Sequence, residues 1–200
     1  MSTENNLKNL YENSIKILSD LIAFKTISGE DNNQLIDYCD EILKKLGATS
    51  FKTFDENKKR VNLFATLKAK KPNGKTPIIL SGHTDVVPVS KGWSTDPFKV
   101  AIKDDKLYGR GSCDMKGFIA CALAYAPIFS KTELDRDIHF SFTFDENKKR
   151  VNLFSTLKAK KPNGKTPIIL SGHTDVVPVS KGWSTNPFEA VIKEDKLYGR

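Results

Sequence analysis

The run "IILSGHTDVVPV", Ile78 to Val89, sets a histidine and an aspartate two positions apart at the end of an apolar strand-like segment. Residues two apart on an extended chain point the same way. Asp85 can therefore reach the imidazole of His83 and fix its tautomer, the usual support behind a metal-bound histidine. Alone, a His-x-Asp pair is a weak signal, and a purely structural pair is its commoner origin. A second run, "LYGRGSCDMKGFIA", places Asp114 behind Gly109 and Gly111, where the text turns helical. A carboxylate there can cap a helix. It can also bridge two cations, one on each oxygen. Arg110 and Lys116 flank it and are open to an anion-binding reading, with solvent-facing or structural roles the commoner outcome. A third run, "HFSFTFDEN", alternates Phe140, Phe142 and Phe144 and then leaves Asp145 and Glu146 at a strand's end. A carboxylate so placed can act as general base toward water at a metal, or it can simply be a polar turn. His139 reads as structural and Cys113 as a small packing residue.

The elements that must hold these residues are legible from periodicity. Leu7 to Phe24 has apolar residues at helical spacing, and "TISGEDN" ends it. Asn33 to Leu46 is a second amphipathic helix, closed by Gly47. Strands are expected at Thr49–Phe54, Val61–Leu67 and Pro77–Gly82, with a hairpin from Phe98–Lys103 and Lys106–Tyr108. Asp114 to Phe129 is a strongly apolar helix, and Asp137–Phe144 a strand. Strands alternating with helices predict an α/β layered domain, with His83 and Asp85 at the carboxyl edge of its sheet, where such folds place ligands.

Bulk composition narrows the function classes. Of 200 residues, 38% are hydrophobic and 28% charged, enough for one medium domain with its own core. No apolar run approaches membrane-spanning length, and the polar opening "MSTENNLKNLYEN" has no signal-peptide core. The expectation is a cytoplasmic protein with no membrane partner. Cys39, Cys113 and Cys121 are odd in number and lack CxxC spacing, as reduced thiols do. The net charge of +8 comes largely from "LKAKKPNGK", present twice. Lysines around a Pro-Asn-Gly turn read as a solvated hairpin tip, and no interleaved aromatics suggest a base-stacking surface, so nucleic acid is not expected as a partner.

That lysine run belongs to a larger duplication. Thr53–Arg110 recurs without a gap as Thr143–Arg200, differing only at Ala65/Ser155, Asp96/Asn186, Lys99/Glu189, Val100/Ala190, Ala101/Val191 and Asp104/Glu194. Two units are not a solenoid, which stacks three or more diverged repeats. Residues 147–200, a copy of 57–110, are therefore expected to be a duplicated segment rather than an independent domain. Two near-identical strand sets would compete for one slot in one sheet, inviting strand swapping.

In order, strand–His-x-Asp, Gly-rich turn–Asp–helix and strand–Asp-Glu resemble the M20 family of zinc-dependent amidohydrolases and peptidases. Within it, "SGHTDVVPVSKGWSTDPF" and "LYGRGSCDMKGFIACALA" look most like the acetylornithine deacetylases. The resemblance covers about residues 7 to 146. It implies the N-terminal part of a mixed-sheet, helix-flanked catalytic domain over residues 1–146, without the family's lid and dimerisation domain. It implies a site for two zinc ions, with cobalt as a substitute, that hydrolyses a small N-acetylated amino acid. N-acetyl-L-ornithine, in arginine biosynthesis, is the expected substrate. By resemblance His83 is a zinc ligand, Asp85 its orienting carboxylate, Asp114 the bridge between metals and Glu146 the general base. The pattern departs at Asn147, where the family has a second, metal-binding Glu. His173 and Asp175 copy His83 and Asp85, but no Gly-rich turn with its aspartate follows them. The expectation is a chain that holds at most one metal weakly and is inactive alone. The alternative is a non-catalytic fragment or a strand-swapped oligomer, and another M20 peptidase or deacylase activity is the third reading.

Overall fold

The computed structural model describes residues 3–144, 168–171, 191–193 and 196–198. Two helices open the chain: α1 (Thr3–Ala23) and α2 (Asn33–Lys45). On α1, Ile17, Leu18, Leu21 and Ile22 are buried, and on α2, Leu35, Ile36, Cys39 and Leu43. These are the three- and four-residue spacings that make one apolar stripe. Strands β1 (Thr49–Phe54) and β2 (Val61–Leu67) pair antiparallel. Then come β3 (Ile78–His83) and the short pair β4 (Ala101–Lys103) and β5 (Lys106–Tyr108). Helix α3 (Lys116–Lys131) and strand β6 (Ile138–Thr143) complete the core. Three brief strands of the second copy follow: β7 (Ile168–Ser171), β8 (Val191–Lys193) and β9 (Lys196–Tyr198).

The main sheet runs β1-β2-β6-β3-β7. β6 is antiparallel to β2 and parallel to β3, so the sheet is mixed. The α/β architecture and mixed sheet expected from the sequence are thus present. β6 is central because its residues suit burial on both faces: Phe140 and Phe142 are fully buried, and Ile138 and His139 nearly so. Each buried phenylalanine removes enough apolar surface to contribute roughly 1.5–3 kcal/mol. His139 is structural, as read: its Nδ1 lies 2.8 Å from Thr66 Oγ1 and its ring packs on Phe64.

Three expectations need correction. The lysine-rich stretch between β2 and β3 is not a hairpin tip, because β6 lies between those strands and the connection must pass over it. Its lysines meet acidic residues leading into β6. Lys68 pairs with Asp137 and Lys71 with Glu133, each at 2.7 Å, and Lys75 pairs with Asp135. Among the described residues, the copy of β3 does not take the slot of its original; the copy of β2 lies outside them. β7, the copy of β3, takes the next position and pairs with β3 itself, parallel. Asp114 does not cap α3: Met115 stands at that position, without a side-chain cap bond. The Asp114 carboxylate is turned to His83 instead.

Candidate functional site

β3 ends on His83, whose imidazole is 8% exposed. The chain beyond it is held from both sides. Thr84 N–H and its hydroxyl donate to Thr143 O at 2.8 and 2.9 Å, and Val86 N–H donates to Thr26 O at 2.8 Å. The Thr26 hydroxyl donates to Thr84 O at 2.6 Å, and buried Asn32 donates to Thr84 Oγ1 at 3.0 Å. These hydrogen bonds fix the backbone that aims His83 and Asp85.

The side-chain geometry follows. His83 Nδ1 is 3.1 Å from Asp85 Oδ1, and Nε2 is 2.9 Å from Asp114 Oδ1. The other oxygen of Asp85 accepts from the Ser28 hydroxyl. Burial alone would lower the imidazole pKa, but the Asp85 and Asp114 carboxylates outweigh it and lift the value to about 9. Burial alone would raise Asp85, yet His83 and Ser28 hold it below the usual carboxylate range. Two carboxylates on one ring make a place where positive charge is favoured.

The Gly-rich turn reaches this spot because it has no Cβ atoms at two close approaches. A Cβ on Gly109 would lie 2.8 Å from Ile22 Cδ1, and one on Gly111, at φ +83°, 2.7 Å from Val86 Cγ1. Residues 109–114, with Val86 and Val87, line an open pocket beside Asp114. Cys113 is exposed there, not packed as expected. Arg110 turns its guanidinium over Trp93 and donates to Pro88 O at 3.3 Å. Lys116 is fully buried; its Nζ donates to Leu21 O and Phe24 O at 2.9 and 2.7 Å. It thereby satisfies carbonyls at the end of α1, and burial pushes its pKa down to about 7. Both cations are structural. The contribution of Ser28 was not legible, since "TISGEDN" reads only as a helix breaker.

The structure brings His83, Asp85 and Asp114 together. β6 ends at Thr143, the register partner of His83, and Asp145 and Glu146 follow in sequence. Glu146, Asn147, His173 and Asp175 lie outside the described residues. Among the described residues, no group of three or more His, Cys, Asp or Glu side chains could hold a metal ion. The geometry gives the reason: Asp85 sits behind the imidazole, on Nδ1, leaving Nε2 and Asp114 as the forward-facing donors. No helix among the described residues is long and apolar enough to cross a membrane.

Residues 79–158 match the model for Peptidase family M20/M25/M40. The chain is 41% identical over 143 residues to a succinyl-diaminopimelate desuccinylase of Rickettsia felis, covering 68% of this chain and 36% of that protein. The corresponding protein of Rickettsia canadensis is 42% identical over the same length and coverage. Human carnosine dipeptidase 1 superposes with a TM-score of 0.59 at 22% identity, covering 70% of this chain and 33% of that one. An M20 family metallo-carboxypeptidase from Sulfolobus solfataricus gives 0.57 at 23%, covering 66% and 30%.

The fold is therefore that of an M20 peptidase catalytic domain, present in part. Residues 79–158 are similar to Peptidase family M20/M25/M40, and the chain spans 36% of the length of the curated relatives named above. Those relatives are desuccinylases, so the narrower likeness to acetylornithine deacetylases is not carried by the comparisons. The quoted motifs lie at the carboxyl edge of the sheet around His83 and Asp114, and features common to a family do not discriminate among acyl groups.

Proposed function

We propose that this chain contributes the first part of a zinc-dependent M20 site that hydrolyses the amide of a small N-acylated amino acid. The observation that carries it is the convergence of His83 Nε2 and Asp114 Oδ1, 2.9 Å apart, at the carboxyl end of β3. An imidazole nitrogen and a carboxylate oxygen are ordinary zinc donors, and the surplus of carboxylate beside the ring suits a cation. Zinc held there supplies Lewis acidity that polarises an amide carbonyl and acidifies water. The chain's own residues do the rest. Asp85 holds the imidazole so that Nε2 faces forward, and Ser28 holds Asp85. Glu146, three residues beyond β6 in sequence, is the base that accepts the proton of the attacking water. Asn147, in place of the family's second Glu, leaves the donor set short by one carboxylate, so metal is held weakly and turnover by this chain alone is slight.

The names of the relatives favour a succinylated substrate, succinyl-diaminopimelate, while the motif resemblance favours N-acetylornithine. Both are small N-acyl amino acids released by the same chemistry. The test uses the full chain with zinc or cobalt(II), beside Asn147→Glu, assaying free amine released from each substrate. Restoring the carboxylate should raise metal affinity at least tenfold and bring any turnover with it, greater on the succinylated compound. Equal, metal-independent behaviour of both proteins would overturn the proposal, and preference for N-acetylornithine would reverse the substrate order.

A further inference from the structure

The edge of β3 is occupied by its own sequence. β7 pairs with β3 in parallel, matching Ile78 to Ile168, Ile79 to Ile169, Leu80 to Leu170 and Ser81 to Ser171. Pro77–Val89 and Pro167–Val179 are the same thirteen-letter text, "PIILSGHTDVVPV". Each residue thus lies beside its copy, the in-register stacking by which identical strands associate. β8 and β9 behave differently: they pair with each other, and Val191↔Tyr198 reproduces the pairing Ala101↔Tyr108 of β4 and β5. Within the described sheet β7 is the terminal strand and β3 its single strand neighbour. Only residues 144–167 join it to β6.

We propose that the β3 edge is a homotypic docking site whose partner is the Ile168–Ser171 strand of a second copy of this chain, forming a strand-exchanged dimer. The exchange keeps every β3–β7 hydrogen bond and changes only which chain supplies β7. Two reciprocal exchanges close the assembly, as a two-fold dimer requires. The competing intrachain pairing has an effective concentration on the order of millimolar for two segments joined by a short linker. The dimer therefore grows in with protein concentration instead of forming at all dilutions. The inference stands apart from the metal chemistry, because it rests on backbone pairing at the far side of β3.

The test uses full-length chains in a Cys113→Ser, Cys121→Ser background. One protein carries Ser81→Cys, a second Ser171→Cys, and a third both changes. Mixing the two singles under mild oxidation should give a covalent dimer whose linked peptides join positions 81 and 171, increasing across about 0.01–1 mM protein. The double variant should close within one chain at the dilute end. Light scattering should show the untrapped dimer fraction rising over the same range and abolished by Ile169→Pro, which locks φ near −65° in the middle of the four-residue strand. A mixture that stays monomeric while the double variant closes internally would overturn the proposal. So would a double variant that never closes, because β7 would then not lie beside β3, or a dimer unaffected by Ile169→Pro.

Discussion

At the scale of single residues, the candidate site is one histidine between two carboxylates. Asp85 holds Nδ1 of the ring; on the proposal that Nε2 faces zinc, Asp85→Asn should lower zinc affinity by roughly 10–100-fold while leaving the fold intact. Competition with a chromophoric chelator measures this; unchanged affinity would show that Nδ1 needs no carboxylate. The His-Asp part of this arrangement was legible from spacing alone, because alternation along a strand puts His83 and Asp85 on one side. The approach of Asp114 was not, since it depends on how tightly the Gly109–Gly111 turn passes Ile22 and Val86. Ser28 was invisible for the same reason: its link to Asp85 joins segments far apart in sequence. Lys116, flanking the motif, resolves as a buried tie to α1, a role that only tertiary structure reveals.

At the scale of elements, the helices and strands fell near their expected positions, because periodicity and breakers mark them plainly. β1, β2 and β5 match their expected bounds, while α3 starts two residues after Asp114. Strand order was not legible, and it decided two outcomes: the lysine loop spans β6, and β7 pairs with its own original. Attachment of α2 to β1 rests on Asp40, 3% exposed, which accepts from Ser50 at 2.6 Å and Lys44 at 2.9 Å and lies 3.1 Å from Lys52. Burial alone would raise this carboxyl, but those three donors hold it below its ordinary range. The unfolded chain therefore takes up the proton first as pH falls. Stabilisation by Asp40 is whole above about pH 4 and is lost as pH drops through the lower folded value. Urea midpoints of the native chain and Asp40→Asn should differ clearly at pH 6 and converge toward pH 2. A constant difference would mean that the carboxylate charge is not what α2 and β1 share.

At the scale of the whole molecule, a duplicated text meets a sheet that has one obvious place for each strand. The first copy builds the M20-type sheet edge, and the second contributes β7 to the outside of that sheet. Part of the basic character of the first copy is neutralised where Lys68, Lys71 and Lys75 meet Asp137, Glu133 and Asp135. Both copies carry a His-x-Asp pair, His83 with Asp85 and His173 with Asp175. The first has Asp114 beside its imidazole, and the proposed metal site is placed there. Zinc binding by the full chain, measured by isothermal titration beside His83→Ala, Asp114→Asn and His173→Ala, tests it most directly. Binding should fall at least tenfold in His83→Ala and in Asp114→Asn and should be unchanged in His173→Ala. Wild-type affinity in the first two, or loss confined to His173→Ala, would contradict a metal site at the end of β3.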